Sequence, residues 1–418
     1  MVKDPSEGEL IPAVVLSTHT TGLAVIRALG AQRIPVIAVH YDRSDMGHVS
    51  RYVHHSLRAP HPEHDRDRFL ELLVKMGETF GRCLLIPCDD APLVAVAENA
   101  ALLSPHHLLA CPAWPVVRST IDKPQTYQLA ESLGVPTPRT ILARNFSQVE
   151  EYCRTADFPC LVKPRRSHTY FERFRRKLVK VHSPAALVTA YQEAAAAGLE
   201  VMLQEYIEGP DTAGVNYNSY AWEGQPLVEF TAQKIRMSPP DSGVPSVVLS
   251  KQIPDVIPAG RRLLQALSYA GYSCIEFKQD ARDGRYKLLE INARHNRSAL
   301  LAVRCGINFP WLEYRHRVCG EWPAASGFRE GLYWVDAARD MAAVGPYFRR
   351  GGFSLSGQLR PYGSPGVFAV WSLADPRPFL RRSAYLAARA VAAAMHCPGS
   401  HLQGAGWPWK ARHRTRVV

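Results

Sequence analysis

Short apolar runs and helical patterns alternate through the first part of the 418-residue chain. Runs rich in Val, Ile and Leu predict strands at 13–17, 35–40 and 84–87, and apolar positions three and four residues apart predict helices at 22–29 and 66–80. A strand, a helix and a further strand at this spacing are typical of a parallel sheet with crossover helices. The pattern therefore predicts a parallel α/β domain.

Two polar sets follow predicted strands of this domain. The segment from Thr18 to Gly22 follows the first strand, and Asp89 and Asp90 follow a later one. Loops at the carboxyl ends of parallel strands are the usual position of ligands, although neither set is specific for one ligand. The first loop lacks the GxGxxG fingerprint of dinucleotide-binding proteins, which argues against a nicotinamide cofactor.

The pattern changes at residues 112–124, where three prolines mark a joint. Asp122 followed by Gln125 resembles a capping box, which would open a helix that ends at Gly134. Beyond it the pattern predicts strands and an alanine-rich helix, the strands at 160–163, 178–181 and 201–207 and the helix at 184–197. After about residue 325 the pattern weakens until an amphipathic helix from about Pro378 to Met395. An apolar stripe of this kind more often docks on its own core than on a membrane or a partner.

A predicted hairpin carries the most informative polar residues. The β-rich runs at 273–279 and 285–292 flank an Asp-Gly turn. Because side chains alternate between the faces of a strand, Glu290 and Asn292 point the same way, and the turn places Glu276 nearly opposite Glu290. Two carboxylates and an amide suit Mg2+, whereas opposed like charges are destabilising without a cation. We therefore expect a metal site, and the alternative is an exposed hairpin face with incidental acids.

Two lysines and the edge of a predicted strand could bind a nucleotide. Lys163 ends a predicted strand and Lys123 opens a predicted helix, so both can face phosphates. The run from 203 to 211 leaves a strand for a glycine turn, where backbone groups can bind an adenine and Asp211 can hold a ribose. Solvated lysines and an ordinary sheet edge are the alternatives.

Composition and charge exclude several classes of protein. Hydrophobic residues make up 46% and charged residues 21%, as in a soluble globular protein, and no apolar stretch reaches the roughly 18 residues that span a bilayer. The polar start and nine cysteines without a CxxC pair predict a reduced, cytoplasmic protein without a secretory signal.

The net charge of +12 comes from short basic clusters without a zinc finger or RNA-binding signature, so specific nucleic-acid binding is not expected. Binding of generic nucleic acid or anionic lipid is a competing class, and solvated faces explain most clusters more simply.

An ordered set of motifs resembles the ATP-grasp superfamily. The set consists of Asp122-Lys123, Gly134-Val135-Pro136-Thr137-Pro138, Val162-Lys163-Pro164, Gln204-Glu205-Tyr206-Ile207-Glu208-Gly209, Glu276 and Glu290-Ile291-Asn292-Ala293-Arg294. It is most similar to predicted carboxylate–amine ligases, a group that includes D-aspartate ligase. The resemblance implies an α/β plus α+β protein with an ATP-grasp fold. Its implied parts are a pre-ATP-grasp parallel α/β domain at 1–118, an ATP-grasp domain at 119–325 with a lid subdomain at about 145–203, and a C-terminal extension at 326–418.

The resemblance also implies a role for each matching residue. Lys123 and Lys163 would contact the phosphates of ATP, and Arg294, with Arg297 nearby, would face the transferred phosphate. Two Mg2+ ions, which Mn2+ could replace, would be held by Glu276, Glu290 and Asn292. The nucleoside would be bound by the residues that follow the third strand: Gln204, Glu205, Tyr206 and Ile207 at the adenine and Asp211 at the ribose. The partner of the adenine amino group stays open between Gln204 and Glu205.

The predicted lid departs from the superfamily pattern because the segment from Arg165 to Arg173 has no glycine. Five arginines lie in or just after it, namely Arg165, Arg166, Arg173, Arg175 and Arg176. Guanidinium forks bind phosphate and carboxylate oxygens in pairs, and five exceed what one triphosphate needs. We therefore expect some of them to face a substrate that is anionic beyond its reacting carboxylate, and a solvated basic hairpin is the alternative.

The reaction implied by the resemblance is ATP-dependent ligation. A carboxylate would attack the γ-phosphate to give an acyl phosphate and ADP, and an amine would then displace phosphate. His295 is a candidate proton acceptor for the amine, and a structural histidine is the alternative. The expected partners are a small carboxylate and a small amine, and the resemblance allows a homodimer. The competing functions are an ATP-grasp enzyme with a non-amine acceptor and a catalytically silent nucleotide-binding regulatory protein.

Overall fold

Three sheets organise the part of the chain that the structure, a computed structural model, describes: residues 10–165, 174, 178–351 and 354–395. Most of the glycine-free predicted lid segment lies outside these residues. The expectations for Arg166, Arg173, Arg175 and Arg176 therefore stay predictions.

The first sheet is parallel and has the strand order β3-β2-β1-β4-β5. Its strands are β1 (Ala13–Leu16), β2 (Val36–His40), β3 (Val53–Arg58), β4 (Cys83–Pro87) and β5 (His107–Leu109). Consecutive side chains of β1 enter opposite apolar clusters, Val14 and Leu16 on one face and Ala13 and Val15 on the other. Both faces of the sheet are thus covered, as the parallel α/β prediction requires. The strand order reverses between β1 and β4, so the loops that follow these two strands border a crevice.

Helices pack on both faces of this sheet and join it to the rest of the chain. They are α1 (Thr20–Gly30), α2 (Arg66–Phe80), α3 (Asp90–Glu98), α4 (Ala100–Leu103) and α5 (Trp114–Ile121), with a short 3-10 helix at Gly47–Val49. Leu23 of α1 and Leu93 of α3 each enter apolar clusters that also contain strands of the largest sheet. These contacts hold the carboxyl ends of β1 and β4 against that sheet.

The second sheet is small and has the order β6-β9-β7-β8. Its strands are β6 (Thr140–Ala143), β7 (Cys160–Pro164), β8 (Val179–Val181) and β9 (Val201–Glu205), and two helices pack on it, α7 (Phe146–Thr155) and α8 (Pro184–Ala196). The sheet follows α6 (Lys123–Ser132), the helix expected to begin after Asp122. The expected capping box is wrong, because Asp122 makes no side-chain bond to the helix backbone. Its Oδ2 accepts from Gln125 Nε2 at 3.1 Å instead.

The third sheet has seven strands in the order β14-β13-β10-β11-β12-β15-β16. These are β10 (Gly214–Trp222), β11 (Gln225–Ser238), β12 (Val244–Ser250), β13 (Gly271–Gln279), β14 (Tyr286–Asn292), β15 (Tyr333–Val335) and β16 (Gly366–Phe368). The predicted hairpin is present as β13 and β14, and its register places Glu276 opposite Glu290. The sequence analysis did not predict β10 to β12, and β10 is buried at eight of its nine positions, polar residues included.

Helices and the chain after residue 325 complete this third layer. They are α9 (Ile257–Ala266), α10 (Ala299–Cys305), α11 (Phe309–Cys319), α12 (Ala337–Arg349), α13 (Leu355–Gly363) and α14 (Arg377–Met395), with 3-10 helices at Asp211–Ala213 and Pro254–Val256. β15 pairs with β12, so the segment expected to form a C-terminal extension adds two strands to the edge of the sheet. None of the helices in the described ranges is long and apolar enough to cross a membrane.

Candidate active site

A cleft of about 380 Å³ lies where the three sheets meet. Its walls come from α3, α6, the ends of β7 and β14, the middle of β10 and β13, and the loop after β14. The polar residues that line it are Asp90, Lys123, Lys163, Asn216, Glu276, Glu290, Asn292, Arg294, Asn296, Arg297 and Ser298. All seven residues expected to act on phosphate or metal are therefore brought together in one cleft.

The two carboxylates lie in a polar row that crosses three strands. Register pairs Asn216 of β10 with Glu276 of β13, and Glu276 with Glu290 of β14. Asn292 Nδ2 donates to Glu290 Oε1 at 3.1 Å and lies 3.4 Å from Glu276 Oε1. The Oδ1 atom of Asn216 is buried and has no hydrogen-bond partner in the described ranges. The row thus presents carboxylate and amide oxygens to one point of the cleft.

Lysine charges set the ionisation of these carboxylates. Burial raises the pKa of Glu276, which is ion-paired with the buried Lys234 of β11. Burial would also raise the pKa of Glu290, but the charge of Lys123 and the bond from Asn292 lower it to about 2. Glu290 is therefore a firmly ionised carboxylate inside the cleft.

Lys123 and Lys163 face each other across the cleft from two different elements. Lys123 is the first residue of α6, and Lys163 lies near the end of β7. Burial lowers the pKa of Lys163 to about 8, and the charge of Lys123 contributes to the shift. Two cations that line one cleft are a suitable receptor for an anion such as a phosphate.

Both arginines of the loop after β14 are anchored to the first domain. Arg294 donates to Asp90 from Nε at 2.6 Å and from Nη2 at 3.2 Å. Arg297 Nη2 donates to Asp336 Oδ2 at 2.9 Å and to Thr20 Oγ1 at 3.3 Å. The two polar sets noted in the sequence thus border the cleft, because their loops lie at the reversal of strand order.

A histidine and an aspartate support this edge. His19 Nε2 lies 3.2 Å from Asp89 Oδ2. Despite burial, this bond and the charges of His19 and Arg294 lower the pKa of Asp89. Both residues precede helices that pack on the largest sheet, so the loop conformation is held by a polar contact as well as by the apolar core.

The residues expected at the nucleoside lie on β9 and the loop that follows, away from the cleft walls. Buried Gln204 donates to Thr140 Oγ1 at 2.8 Å. Glu205 is ion-paired with Arg282 and Lys287, and its Oε2 accepts from the backbone N–H of Arg139 at 3.0 Å. These contacts hold the carboxyl end of β9, an interior strand of the small sheet, against the β13–β14 hairpin.

The residues after β9 contact the turn between β11 and β12 and helix α12. Tyr206 donates its hydroxyl hydrogen to Asp241, and Ile207 is buried. Asp211 accepts from the hydroxyl of Tyr347 and, at 2.9 Å, from the backbone N–H of Asp241. The adenine and ribose roles of these residues stay predictions.

Two further candidate residues from the sequence analysis, His295 and Arg165, are held by other side chains of this chain. Buried His295 stacks on Tyr272 with ring centroids 4.2 Å apart, and its Nε2 lies 3.4 Å from Glu313 Oε2. It does not line the cleft, so the structural alternative describes it better. Arg165 contacts Asp122 at 3.3 Å and Glu200 at 3.1 Å, so its guanidinium is held by carboxylates of this chain.

Sequence reasoning missed several residues of the site. Lys234 and Asn216 lie on strands that the pattern did not reveal, Trp334 lies on β15 in the weakly patterned segment, and Asp336 directly follows that strand. A single lysine inside an otherwise strand-like run was the available signal for Lys234. Its side chain is buried, which a lysine tolerates only beside a countercharge.

Comparisons with known proteins agree with this geometry. No family model matches the chain. D-aspartate ligase of Enterococcus faecium is 24% identical over 270 residues, which are 59% of this chain and 63% of that ligase, so the match spans less than two thirds of that protein. D-alanine–D-alanine ligase B of Pseudomonas putida is 26% identical over 312 residues, 70% of this chain and 85% of that ligase.

Solved structures extend the likeness to the fold. An L-amino acid ligase from Bacillus licheniformis superposes with a TM-score of 0.58 at 16% identity, covering 74% of each chain. The biotin carboxylase domain of a 2-oxoglutarate carboxylase from Hydrogenobacter thermophilus, a dimer described in complex with MgADP and bicarbonate, gives 0.61 at 16% identity, covering 78% of this chain and 74% of that one. The chain has the ATP-grasp fold. The ATP-grasp resemblance found in the sequence is confirmed, and its relatives are carboxylate–amine ligases.

Proposed function

We infer that this ATP-grasp protein is an ATP-dependent ligase that activates a carboxylate as an acyl phosphate and couples it to an amine, releasing ADP and phosphate. One observation supports this most: the four cations Lys123, Lys163, Arg294 and Arg297 share a cleft with the Glu276–Glu290 pair. Phosphoryl transfer needs little covalent chemistry from the protein, so such an arrangement of charges is what the reaction requires. The named activities of the relatives agree with it.

The cationic side chains would act on the phosphates. We propose that Lys123 and Lys163 bind the β- and γ-phosphates of ATP, with Lys163 taking its full charge when the anion arrives. Arg294 would face the transferred phosphoryl group, since its fork is oriented by Asp90. A group held in place before the reaction stabilises developing charge without reorganisation.

The carboxylate row fits a divalent cation. Two half-buried carboxylates in register, the amide of Asn292 and the unpartnered Asn216 Oδ1 are hard oxygen donors. We propose that Glu276, Glu290 and Asn292 hold Mg2+, in two ions as the resemblance implies, and Mn2+ is the natural substitute. When bound, the ions would neutralise the charge of the phosphates. The ion pair of Lys234 with Glu276 would keep the row balanced before they arrive.

The nucleoside would lie against the carboxyl end of β9 and the segment that follows it. We propose that Gln204 or Glu205 meets the adenine amino group, that Tyr206 and Ile207 flank the ring, and that Asp211 binds the ribose. Asp211 would have to exchange its bond from Tyr347 for one from a ribose hydroxyl. The small sheet would cover the phosphates as a lid, which matters because an acyl phosphate hydrolyses in water.

An assay of ADP release tests the proposed function. The protein would be incubated with ATP, MgCl2 and a matrix of carboxylic acids and amines, and products would be identified by mass spectrometry. We expect ADP release that needs both an acid and an amine, with an amide product. ADP release that yields a carboxylated or other non-amide product would show that the acceptor is not an amine. No release with any pair, despite ATP binding, would support a silent nucleotide-binding protein instead.

Assembly and location complete the proposal. We propose a homodimer in the cytoplasm, supported by the dimer named for the similar biotin carboxylase domain. Light scattering after size-exclusion chromatography should give twice the chain mass of 46.5 kDa. A mass of one chain at micromolar concentration would exclude a stable dimer.

A further inference from the structure

Helix α14 is fixed to the body of the protein at its start. Asp375, directly before the helix, is fully buried and accepts from Arg27 Nε at 3.0 Å and from Ser50 Oγ at 2.7 Å. In the second turn of the helix, Arg382 Nη2 donates to Asp336 Oδ1 at 3.0 Å. Buried polar contacts therefore set the direction in which the helix leaves the first domain.

The rest of the helix is displayed to solvent. Among residues 383–391 Tyr385 is half-buried and every other residue is exposed, Leu386 at 43% and Val391 at 56%. A surface helix of a globular protein normally buries its apolar face against the core. This part of α14 leaves its apolar residues uncovered instead.

Four of these apolar positions form one stripe on the exposed side of the helix. Their spacing of four, three and four residues places them on one face at 3.6 residues per turn, and the members are Leu380, Ala384, Ala387 and Val391. All four are exposed, Leu380 at 60%. The face that meets the body of the protein carries buried Pro378 and half-buried Arg382 and Tyr385, and it lies opposite the stripe. The expectation that the stripe docks on the core of this chain is therefore wrong.

Charge restricts what can cover the stripe. No acidic residue follows Asp375 in the sequence, whereas residues 376–418 contain eight basic ones, namely Arg377, Arg381, Arg382, Arg389, Lys410, Arg412, Arg414 and Arg416. This segment thus carries eight of the twelve net positive charges of the chain. A second copy of the same helix would bring like charges together, so the complementary partner is an anionic surface.

The apolar stripe favours lipid over nucleic acid as that anionic surface. Arg377 and Arg381 follow the border of the stripe on the helical wheel, and both are exposed. Helices that lie on a membrane combine such arginines, which reach the headgroup phosphates, with aliphatic side chains that enter the acyl boundary. A nucleic acid would neutralise the arginines but leave Leu380 and Val391 in water, since it is bound through phosphate contacts and aromatic stacking.

We propose that α14 docks on the surface of a bilayer that contains anionic lipid, with the stripe entering the acyl boundary and its arginines on the headgroup phosphates. The helix would lie in the plane of the membrane, since none of the helices in the described ranges is long and apolar enough to cross it. Leu373, 86% exposed directly before the helix, would add apolar contact. This role goes beyond the proposed function, because it concerns where the protein acts and uses no residue of the cleft.

Sedimentation of the full chain with vesicles tests the docking. Sucrose-loaded vesicles of equal parts phosphatidylglycerol and phosphatidylcholine should bind the protein at least about tenfold more tightly than vesicles of phosphatidylcholine alone. Binding should weaken as the salt concentration rises from about 0.05 M to about 0.5 M. No sedimentation with the anionic vesicles at low salt would overturn the proposal.

Variants separate docking of the stripe from simple attraction of a basic protein. Leu380→Asp and Val391→Asp each place a carboxylate in the stripe and should weaken vesicle binding at least about tenfold. Leu359→Asp, 57% exposed on α13, makes the same change of charge elsewhere and should bind nearly as wild type. Arg381→Gln should weaken binding severalfold, and Arg349→Gln, exposed on α12, is its control. Because all these positions are exposed, the unfolding midpoints should stay close to that of wild type.

Other results would assign the helix a different partner. Equal losses in Val391→Asp and Leu359→Asp would show that net charge alone drives binding and would overturn docking of the stripe. Vesicle binding that both stripe variants retain, but that is lost when the four Lys and Arg residues of 410–416 are replaced by Gln, would also overturn it. A dimer in solution that the stripe variants dissociate, without vesicle binding, would make a second copy the partner. Since these measurements need no acid or amine substrate, failure of the ligase assay leaves the docking proposal intact.

Discussion

At the scale of single residues, burial and neighbouring charges set the ionisation of Glu290 and of Lys163 in the candidate site. The pKa of Glu290 is lowered to about 2 because Lys123 and Asn292 outweigh its burial, whereas the pKa of Lys163 is lowered to about 8 because its burial and the charge of Lys123 act together. In the proposed function, a bound nucleotide with its metal would satisfy both groups. Two substitutions test this balance.

Replacing Glu290 should stop the reaction without unfolding the protein. In Glu290→Ala we expect kcat to fall at least about a hundredfold, because the charge of the transferring phosphoryl group loses its metal-mediated neutralisation. ADP release at saturating Mg2+ is the measurement, with circular dichroism to verify folding. Asp283→Ala, in the turn of the same hairpin, should keep full activity. Full activity of a folded Glu290→Ala protein would remove the metal assignment.

The pKa of Lys163 predicts a pH dependence of ATP binding. The protonated lysine binds phosphate, and its pKa of about 8 in the free protein means that it loses its proton as the pH rises through 8. Affinity for a non-hydrolysable ATP analogue should therefore be constant below about pH 7 and decline by up to tenfold per unit above 8, with proton uptake on binding. Calorimetry in buffers of different ionisation enthalpy measures that uptake.

Variants identify the titrating group. Lys163→Ala should weaken binding roughly ten- to hundredfold and abolish the proton uptake, because a charged contact to phosphate is lost. Lys251→Ala, at an exposed position, should change neither. An unchanged dissociation constant in Lys163→Ala would mean that Lys163 does not contact the nucleotide.

At the scale of elements, strand β11 connects the active site to the segment after residue 325. Lys234 pairs with Glu276 on one side, and two residues on, Arg236 makes a bidentate pair with Asp340 of α12 at 2.7 and 2.8 Å. Asp340 is fully buried and also accepts from Ser246, Gln358 and Tyr362. The register irregularity of β11 near Lys234 and Arg236 lets both charged side chains find partners.

Removing Asp340 should therefore destabilise the whole protein. Asp340→Ala leaves the buried Arg236 guanidinium without countercharge, and we expect a loss of about 3–5 kcal/mol in the free energy of unfolding. Urea denaturation followed by tryptophan fluorescence measures it, and exposed Glu78→Ala serves as control. A change below about 1 kcal/mol, within the range of a surface pair, would show that α12 is peripheral to the fold.

At the scale of the whole molecule, the active site is an interface between domains. The first sheet supplies Asp90 and Thr20, the small sheet supplies Lys163, and the large sheet supplies the carboxylate row. Apolar contacts of α1 and α3 with the large sheet keep these parts in register. Catalysis should therefore depend on polar contacts that contribute little to stability.

The bond from Arg294 to Asp90 tests this dependence. Asp90→Asn should lower kcat about tenfold, as expected for one weakened charge-assisted bond that orients Arg294, because Asn accepts at only one oxygen. The unfolding midpoint should hardly move, since Asp90 is more than half exposed. Asp42→Asn, in the loop after β2, is the matched control. Equal losses of activity and stability would show that the pair is structural.

The sequence by itself determined the local elements and the chemistry of the site. Periodicity placed α2 at its observed bounds and the β13–β14 hairpin in its register, because a helix and a hairpin are set by neighbouring residues. The ordered motifs also identified the ATP-grasp fold and the seven residues that meet at the cleft. These signals lie in short stretches of chain, where side-chain period and turn chemistry suffice.

Only the tertiary structure decided what lies around those residues. Lys234, Asp90, Asp336 and the two edge strands β15 and β16 reach the site from distant parts of the chain, as Asp90 to Arg294 shows across 204 positions. Strand β10 buries polar as well as apolar residues, and a buried lysine is recognised only once its countercharge is known. Long-range pairing arises from burial of apolar faces and from charge neutralisation in the folded protein, and neither is encoded in any local window.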